Sequence, residues 1–180
     1  MNDPEPRWLN TDEQHSWRES IQAWQWLLAA VDVQLQRDSG MPLAYYEILV
    51  RLSEAPGRAL RMSQLAEAAS ASKSRASHAV ARLEERGWVR RVDCPTDRRG
   101  QVAELTDEGY AVLVATAPGH VVQVRESLFD GLTPEQVAQL KAIGDTMAAA
   151  CGGRPIPGFP PGCPGSEEPA ELGREGVPAD

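Results

Sequence analysis

The stretch SQLAEAASASKSRASHAVARLEERGWVRRVDCPTDRRGQVAEL, residues 63–105, decides how this chain folds. A short helix is expected at SQLAEAAS and a longer one from about Ser72 to Arg86, closed by Gly87. Between them Ala69-Ser70-Ala71 are small enough to let two helices cross closely. Trp88 to Val92 and Gln101 to Leu105 then read as two strands around CPTDRRG, a polar loop with Pro and Gly, which predicts a hairpin.

Two short helices followed by a two-stranded ribbon form the pattern of a winged helix-turn-helix. The faces of the longer helix fit it. With Ser74 set at 0° and about 100° per residue, Ala79, Leu83, Ala76 and Val80 span about 140–240°, and Ser74, His78, Arg82 and Arg75 span about 0–100°. One face packs, and the other is polar and cationic. Such a face can meet base edges in a major groove, where Arg pairs bidentately with guanine and Ser or His donates or accepts. Ser72 as N-cap with Lys73 beside it would bring backbone N–H groups and a cation to a phosphate. In the loop, Arg98 and Arg99 next to Gly100 suit the negative minor groove of A·T-rich DNA, and Asp97 would orient an arginine rather than touch DNA.

Outward from this core the chain is mostly helical. Thr11-Asp12-Glu13-Gln14 reads as an N-cap and acidic first turn of a helix running to Ser39-Gly40. Ile21, Trp24, Leu28, Val31 and Leu35 fall within about 40° of Trp17, one long apolar stripe. Trp26 lies opposite, which predicts buried contacts on two faces. LAYYEILVRLSE forms a second helix that Pro56-Gly57 stops. Thr106 caps a helix expected to break or kink at Pro118-Gly119, and Thr133-Pro134-Glu135-Gln136 opens the last one. The adjacent Glu84 and Glu85 point about 100° apart and read as a solvated face.

Net charge is −8, which would disfavour a nucleic-acid partner, but it is unevenly spread. Residues 58–101 carry ten basic and five acidic side chains, a local +5, leaving −13 for the rest. A basic island on an acidic body is a local anion-binding surface. Residues 151–180 hold seven of the 14 prolines and seven of the 15 glycines, and read as a disordered acidic tail. The expected organisation is an N-terminal arm and first dimerisation helix (1–40), the winged region (41–105), C-terminal dimerisation helices (106–150) and the tail (151–180).

The chain resembles the MarR family of transcriptional regulators over roughly residues 40–110. The resemblance is carried by L-A-E with its small-residue turn, by S-x-S-R…V-x-R-L-E-x-R-G-W-V, and by D-x-x-x-D-R-R-G followed by L-T-x-E-G. It implies a mainly α fold with α+β character in the wing, a winged helix-turn-helix flanked by N- and C-terminal dimerisation helices. It also implies a homodimer that reads a pseudo-palindromic operator in double-stranded DNA and acts as a repressor. By position, Ser72, Lys73, Ser74, Arg75, His78 and Arg82 fall on its recognition helix, Arg98 and its neighbour Arg99 on the wing, and Asp97 on the wing-orienting acidic position. A small aromatic effector is further implied between dimerisation helices and winged region, where Trp24, Trp26, Tyr45, Tyr46, His15 and Arg18 would supply stacking and polar contacts.

Other classes find little support. His15, His78 and His120 are far apart, and no H-E-x-x-H, phosphate-binding glycine loop or G-x-S-x-G occurs, so neither an enzyme nor a cofactor is expected. Cys94, Cys151 and Cys163 are odd in number and lack zinc-ligand spacing. Residues 1–93 contain no cysteine for the oxidant sensing known near the first helix of some relatives, and Cys94 at the wing base lacks a resolving partner. With no signal-like start and no run near the ~18–20 apolar residues of a membrane span, a cytoplasmic protein is expected. The alternative reading is a dimeric winged-helix module that binds protein or ligand without an operator.

Overall fold

Asn10, one residue before the expected Thr11, starts the first helix. In the computed structural model its Oδ1 accepts from Glu13 N at 2.8 Å and its own N–H donates to Glu13 Oε2 at 2.8 Å, a reciprocal capping box. The structure describes residues 5–69, 72–94 and 97–152, the side chains of 94–99 excepted. The expected Ala69-Ser70-Ala71 turn therefore lies partly outside the described residues, and the expected disordered tail almost wholly so. The elements are α1 (Thr11–Ser39), α2 (Leu43–Glu54), β1 (Ala59–Arg61), α3 (Met62–Ala68), α4 (Lys73–Glu85), β2 (Val89–Cys94), β3 (Asp97–Leu105), α5 (Asp107–Ser127) and α6 (Pro134–Ala150).

Each boundary has a local cause. Asp32 of α1 accepts from Leu43 N at 2.8 Å, so one helix satisfies an orphan donor of the next. Ser72 caps α4 by accepting from Arg75 N at 3.3 Å, and Thr106 caps α5 by accepting from Gly109 N at 3.0 Å. Thr133 and Gln136 exchange two bonds at the start of α6, as the sequence predicts.

Three expectations need correction. The sheet has three antiparallel strands in the order β1-β3-β2, because the three-residue β1 pairs Ala59 with Glu104 and Arg61 with Val102. The loop CPTDRRG also supplies strand, since β3 begins at Asp97 and Cys94 pairs with it after an irregularity at Asp93. Pro118-Gly119 does not break α5, which is continuous from 107 to 127. Gly119 serves close packing instead: a Cβ there would lie 3.1 Å from Gln34 Nε2 and 3.2 Å from Asp38 Oδ2 of α1.

The chain falls into two compact units, Met1–Val137 and Ala138–Asp180. In the first, Leu35, Met41, Leu49, Leu52, Leu65, Val80 and Leu83 are fully buried and join α1, α2, α3 and α4 in one core. The α1 stripe divides. Val31 and Leu35 enter this core, while Trp17, Trp24 and Leu28 stay exposed. Trp26 is 69% exposed, so among the described residues nothing buries the second face expected of α1. In the second unit the described residues continue α6, which buries none of its side chains.

Two predictions follow from packing and burial. A Cβ on Gly109 would sit 2.1 Å from Trp88 O, a backbone atom that cannot swing away. Gly109→Ala should therefore destabilise the fold by about 1–3 kcal/mol or more in chemical denaturation, whereas Gly144→Ala, in open space, should not destabilise it. His120 lies 4.6 Å from the Tyr46 ring with its Nδ1 buried and unpaired among the described residues. Burial pushes the imidazole below its ordinary 6.5 and the Tyr46 hydroxyl up to about 12. The unfolded chain then takes up the His120 proton first as pH drops below 6.5, so the stability from neutral His120 is full above 6.5 and lost as pH falls through the lower folded value. Melting temperature should fall more steeply from pH 7.5 to 5 in the wild type than in His120→Gln, and equal slopes would remove His120 from the acid response.

Candidate nucleic-acid interface

The buried side of α4 consists of Ala76, Val80 and Leu83, with Ala79 half-buried, which is the face the sequence assigns to the core. Ser72, Lys73, Ser74, Arg75, His78 and Arg82 are all exposed, so the structure brings six of the candidate residues onto one solvent-facing surface. They differ in freedom. Arg75 has no side-chain partner among the described residues. Arg82 donates from Nη1 to Glu85 Oε2 at 2.8 Å, and this bond holds its guanidinium above the ordinary arginine range. The Asp97, Arg98 and Arg99 backbones lie in β3, at the outer end of the hairpin, and their side chains fall outside the described set.

The hairpin is braced from its own edges. Arg90 forks onto Glu104 across β2 and β3 at 2.7 and 3.0 Å, which keeps the Glu104 carboxyl below the usual carboxylate range. Arg86, at the end of α4, donates to Gly40 O at 3.0 Å and stands 4.8 Å over the Trp88 ring, tying α4 to the end of α1. The expectation of a solvated Glu84-Glu85 face holds for Glu85 only. Glu84 is half-buried, accepts from Arg91 N at 3.0 Å and faces the Arg91 guanidinium. Arg91 is a residue that sequence reasoning missed, because its partners lie in another element.

The aromatic candidates do not converge. His15 pairs with Glu19 at 3.5 Å, Arg18, Trp24 and Trp26 are exposed on α1, Tyr45 is half-buried and Tyr46 is in the core. Two open cavities of about 320 and 350 Å³ flank Asp38 and Gly119, and none of the six lines either. Among the described residues no three His, Cys, Asp or Glu side chains group as a metal site.

Helix, turn, helix and a two-stranded wing with a cationic helix face define the winged helix-turn-helix class. A MarR family model matches residues 39–100. The crystal structure of Sco3205, a MarR family transcriptional regulator from Streptomyces coelicolor in complex with DNA, is 57% identical with a TM-score of 0.78, over 82% of this chain and 92% of that one. AbsC, a MarR family transcriptional regulator from the same organism, is 40% identical with a TM-score of 0.76, over 83% of this chain and all of that one. The chain belongs to the MarR family. It also matches the HTH-type transcriptional regulator PecS of Dickeya dadantii at 33% identity over 85 residues, 47% of this chain. The chain spans about half the length of the curated relatives it matches. All of these relatives are described as transcriptional regulators and none as an enzyme.

The unequal partners of the two arginines give a graded expectation. Arg75→Ala should cost about 1–3 kcal/mol of affinity for a duplex that the wild type selects from a random pool. Arg82→Ala should cost less, because its charge is already shared with Glu85. Fluorescence anisotropy titrations of the two variants check the order, and a larger loss for Arg82→Ala would reverse it.

Proposed function

We propose that this protein is a homodimeric, sequence-specific DNA-binding transcriptional regulator that represses from a pseudo-palindromic operator. The single observation that carries the reading is the capped α4 helix, whose Ala76, Val80 and Leu83 are buried while Ser74, Arg75, His78 and Arg82 face solvent. That is the disposition a major-groove reader needs, and Ser72 and Lys73 at its N-terminus suit a phosphate. Sco3205, a relative whose structure holds DNA, supports the same reading. Arg98 and Arg99 enter the minor groove in this proposal, with Asp97 orienting them.

A two-fold partner follows from reach. One recognition helix covers only a few base pairs, and two half-sites one turn apart need two copies. The exposed Trp17, Ile21, Trp24 and Leu28 on α1 and Val114 and Val121 on α5 offer apolar area for such a partner. A small aromatic effector would release the operator if it bound the form unable to hold DNA more tightly. The open cavities at Asp38 and Gly119, one lined by Trp88 and Val112 and neither by the expected Trp24, Trp26, Tyr45 and Tyr46, offer room for one. A cytoplasmic location suits this role, and among the described residues no helix is long and apolar enough to cross a membrane.

The test is selection of bound duplexes from a random pool by the purified protein. A two-fold symmetric consensus with half-site centres about 10–10.5 base pairs apart, bound with a steep fall of log affinity against log salt, is the expected result. A pool that stays random overturns the reading and favours the module that binds protein or ligand.

A further inference from the structure

We propose that Arg91, on the wing strand β2, is a positioning residue that sets the roll of α4 about its own axis and so the sequence selectivity of the protein, without touching DNA. This rests on the proposed DNA reading. The Arg91 side chain turns away from solvent toward α4. Its Nη2 donates to Ser77 O at 2.7 Å and lies 3.4 Å from Ser77 Oγ. Its Nε is 3.2 Å from Glu84 Oε2, a charge contact without hydrogen-bond alignment. Glu84 Oε1 closes the circuit by accepting from Arg91 N at 3.0 Å. The two side chains are only 22% and 32% exposed, so neither is a solvated surface ion.

Geometry makes this a clamp on rotation. Ser77 and Glu84 are seven residues apart, which returns a helix to within about 20° of the same direction and spaces them about 10.5 Å along it. On the wheel with Ser74 at 0° they fall at about 280–300°, on the flank between the buried face and the cationic face. Arg91 therefore grips one edge of α4 over two turns. Packing alone leaves this freedom open, because the core side of α4 is smooth: of its inward residues, Ala76 and Ala79 are methyl-sized and only Val80 and Leu83 act as keys. At a side-chain radius of about 5–6 Å, a roll of about 20° moves a side-chain end by about 2 Å. Base-edge hydrogen bonds span only about 2.7–3.2 Å, so that displacement removes them. Phosphate attraction is long-ranged and survives it. An arginine suits the task because its planar fork holds a carbonyl and a carboxylate at once, which an ammonium on a flexible stem does less well.

The experiment compares wild type, Arg91→Met, Arg91→Lys and Glu84→Gln on two duplexes: the one wild type selects from a random pool, and a random-sequence duplex of equal length. For Arg91→Met the ratio of the two affinities should fall about ten- to a hundredfold, the scale of losing one or two base contacts. Affinity for the random duplex and the salt slope should stay as in wild type, Arg91→Lys should recover part of the ratio, and Glu84→Gln should show a smaller loss of the same kind. Glu84→Gln keeps an acceptor for Arg91 N, so it carries the test if Arg91→Met does not fold. An unchanged ratio in both Arg91→Met and Glu84→Gln overturns the inference. So does equal loss on both duplexes with the salt slope lowered by about 1, which would make Arg91 a phosphate contact. Losses that track melting temperature across the series and spare selectivity also overturn it. If wild type selects no duplex, the DNA reading itself fails, whereas wild-type selection with unaltered variants sinks this inference alone.

Discussion

Burial of Val80 and Leu83 under α4 decides what the helix shows to solvent. Each of these side chains stabilises its buried position by roughly 1.5–3 kcal/mol. The opposite face carries Arg75, His78 and Arg82, and turning it inward would place unpaired cations in the core at several kcal/mol per ion. A reversal of α4 is therefore forbidden by a wide margin. Small rotations are not, since alanines occupy much of the inward surface, and there the polar contacts of Glu84, Ser77 and Arg91 contribute what packing cannot.

The same core reaches α1 through Val31 and Leu35, and through the close approach of Gly119 to Gln34 and Asp38. Only the C-terminal part of α1 is spent in this way. Toward its N-terminus the helix has no buried residue, and Trp17, Trp24 and Leu28 of its apolar stripe remain exposed. Only Val31 and Leu35 of this stripe lie inside a single chain, so a sequence that asks for burial over about five turns meets a core that supplies it over little more than one. On the proposed dimer the outer half finds its cover, and the arm from Arg86 to Gly40 O then links the dimerisation helix to the end of the recognition helix.

Much of this was legible because it is local. Helix faces follow from period, and the caps at Ser72, Thr106 and Thr133 follow from side chains that satisfy donors three residues on. Apart from the one-residue offset of the α1 cap to Asn10, the failures are tertiary. β1 is three residues long and becomes a strand only through pairing with Glu104, Ala103 and Val102, more than forty residues away. Pro118 and Gly119 carry a breaker signature that the packing of α1 against α5 overrides. Glu84 and Glu85 look alike in sequence, yet the 100° between them sends one beneath the wing strand and leaves the other beside Arg82. For the site, the cationic face could be read from spacing alone. The Arg91 clamp could not, because nothing in residues 77 and 84 announces a guanidinium arriving from a strand.

Those ion pairs also change what the basic island means. Its local +5 counts charges, and charge that is already paired attracts phosphate weakly. Arg82 is paired with Glu85, Arg90 with Glu104, Arg91 with Glu84 and Arg58 with Asp107, the last also stacked at 3.8 Å on Tyr110. Two of these four acids lie beyond residue 101, so the structure draws neutralising carboxylates into the island from its acidic surroundings. Lys73 and Arg75, at the start of α4, keep their charge unshared among the described side chains. Among the described side chains of α4 itself, Lys73 and Arg75 thus carry unshared charge at the N-terminus, where the backbone N–H groups also point, while Arg82 further along is neutralised by Glu85. On the proposed DNA reading, a helix so charged would meet a phosphate first at its N-terminal end, which favours insertion of α4 by its N-terminus over lying flat against a phosphate backbone.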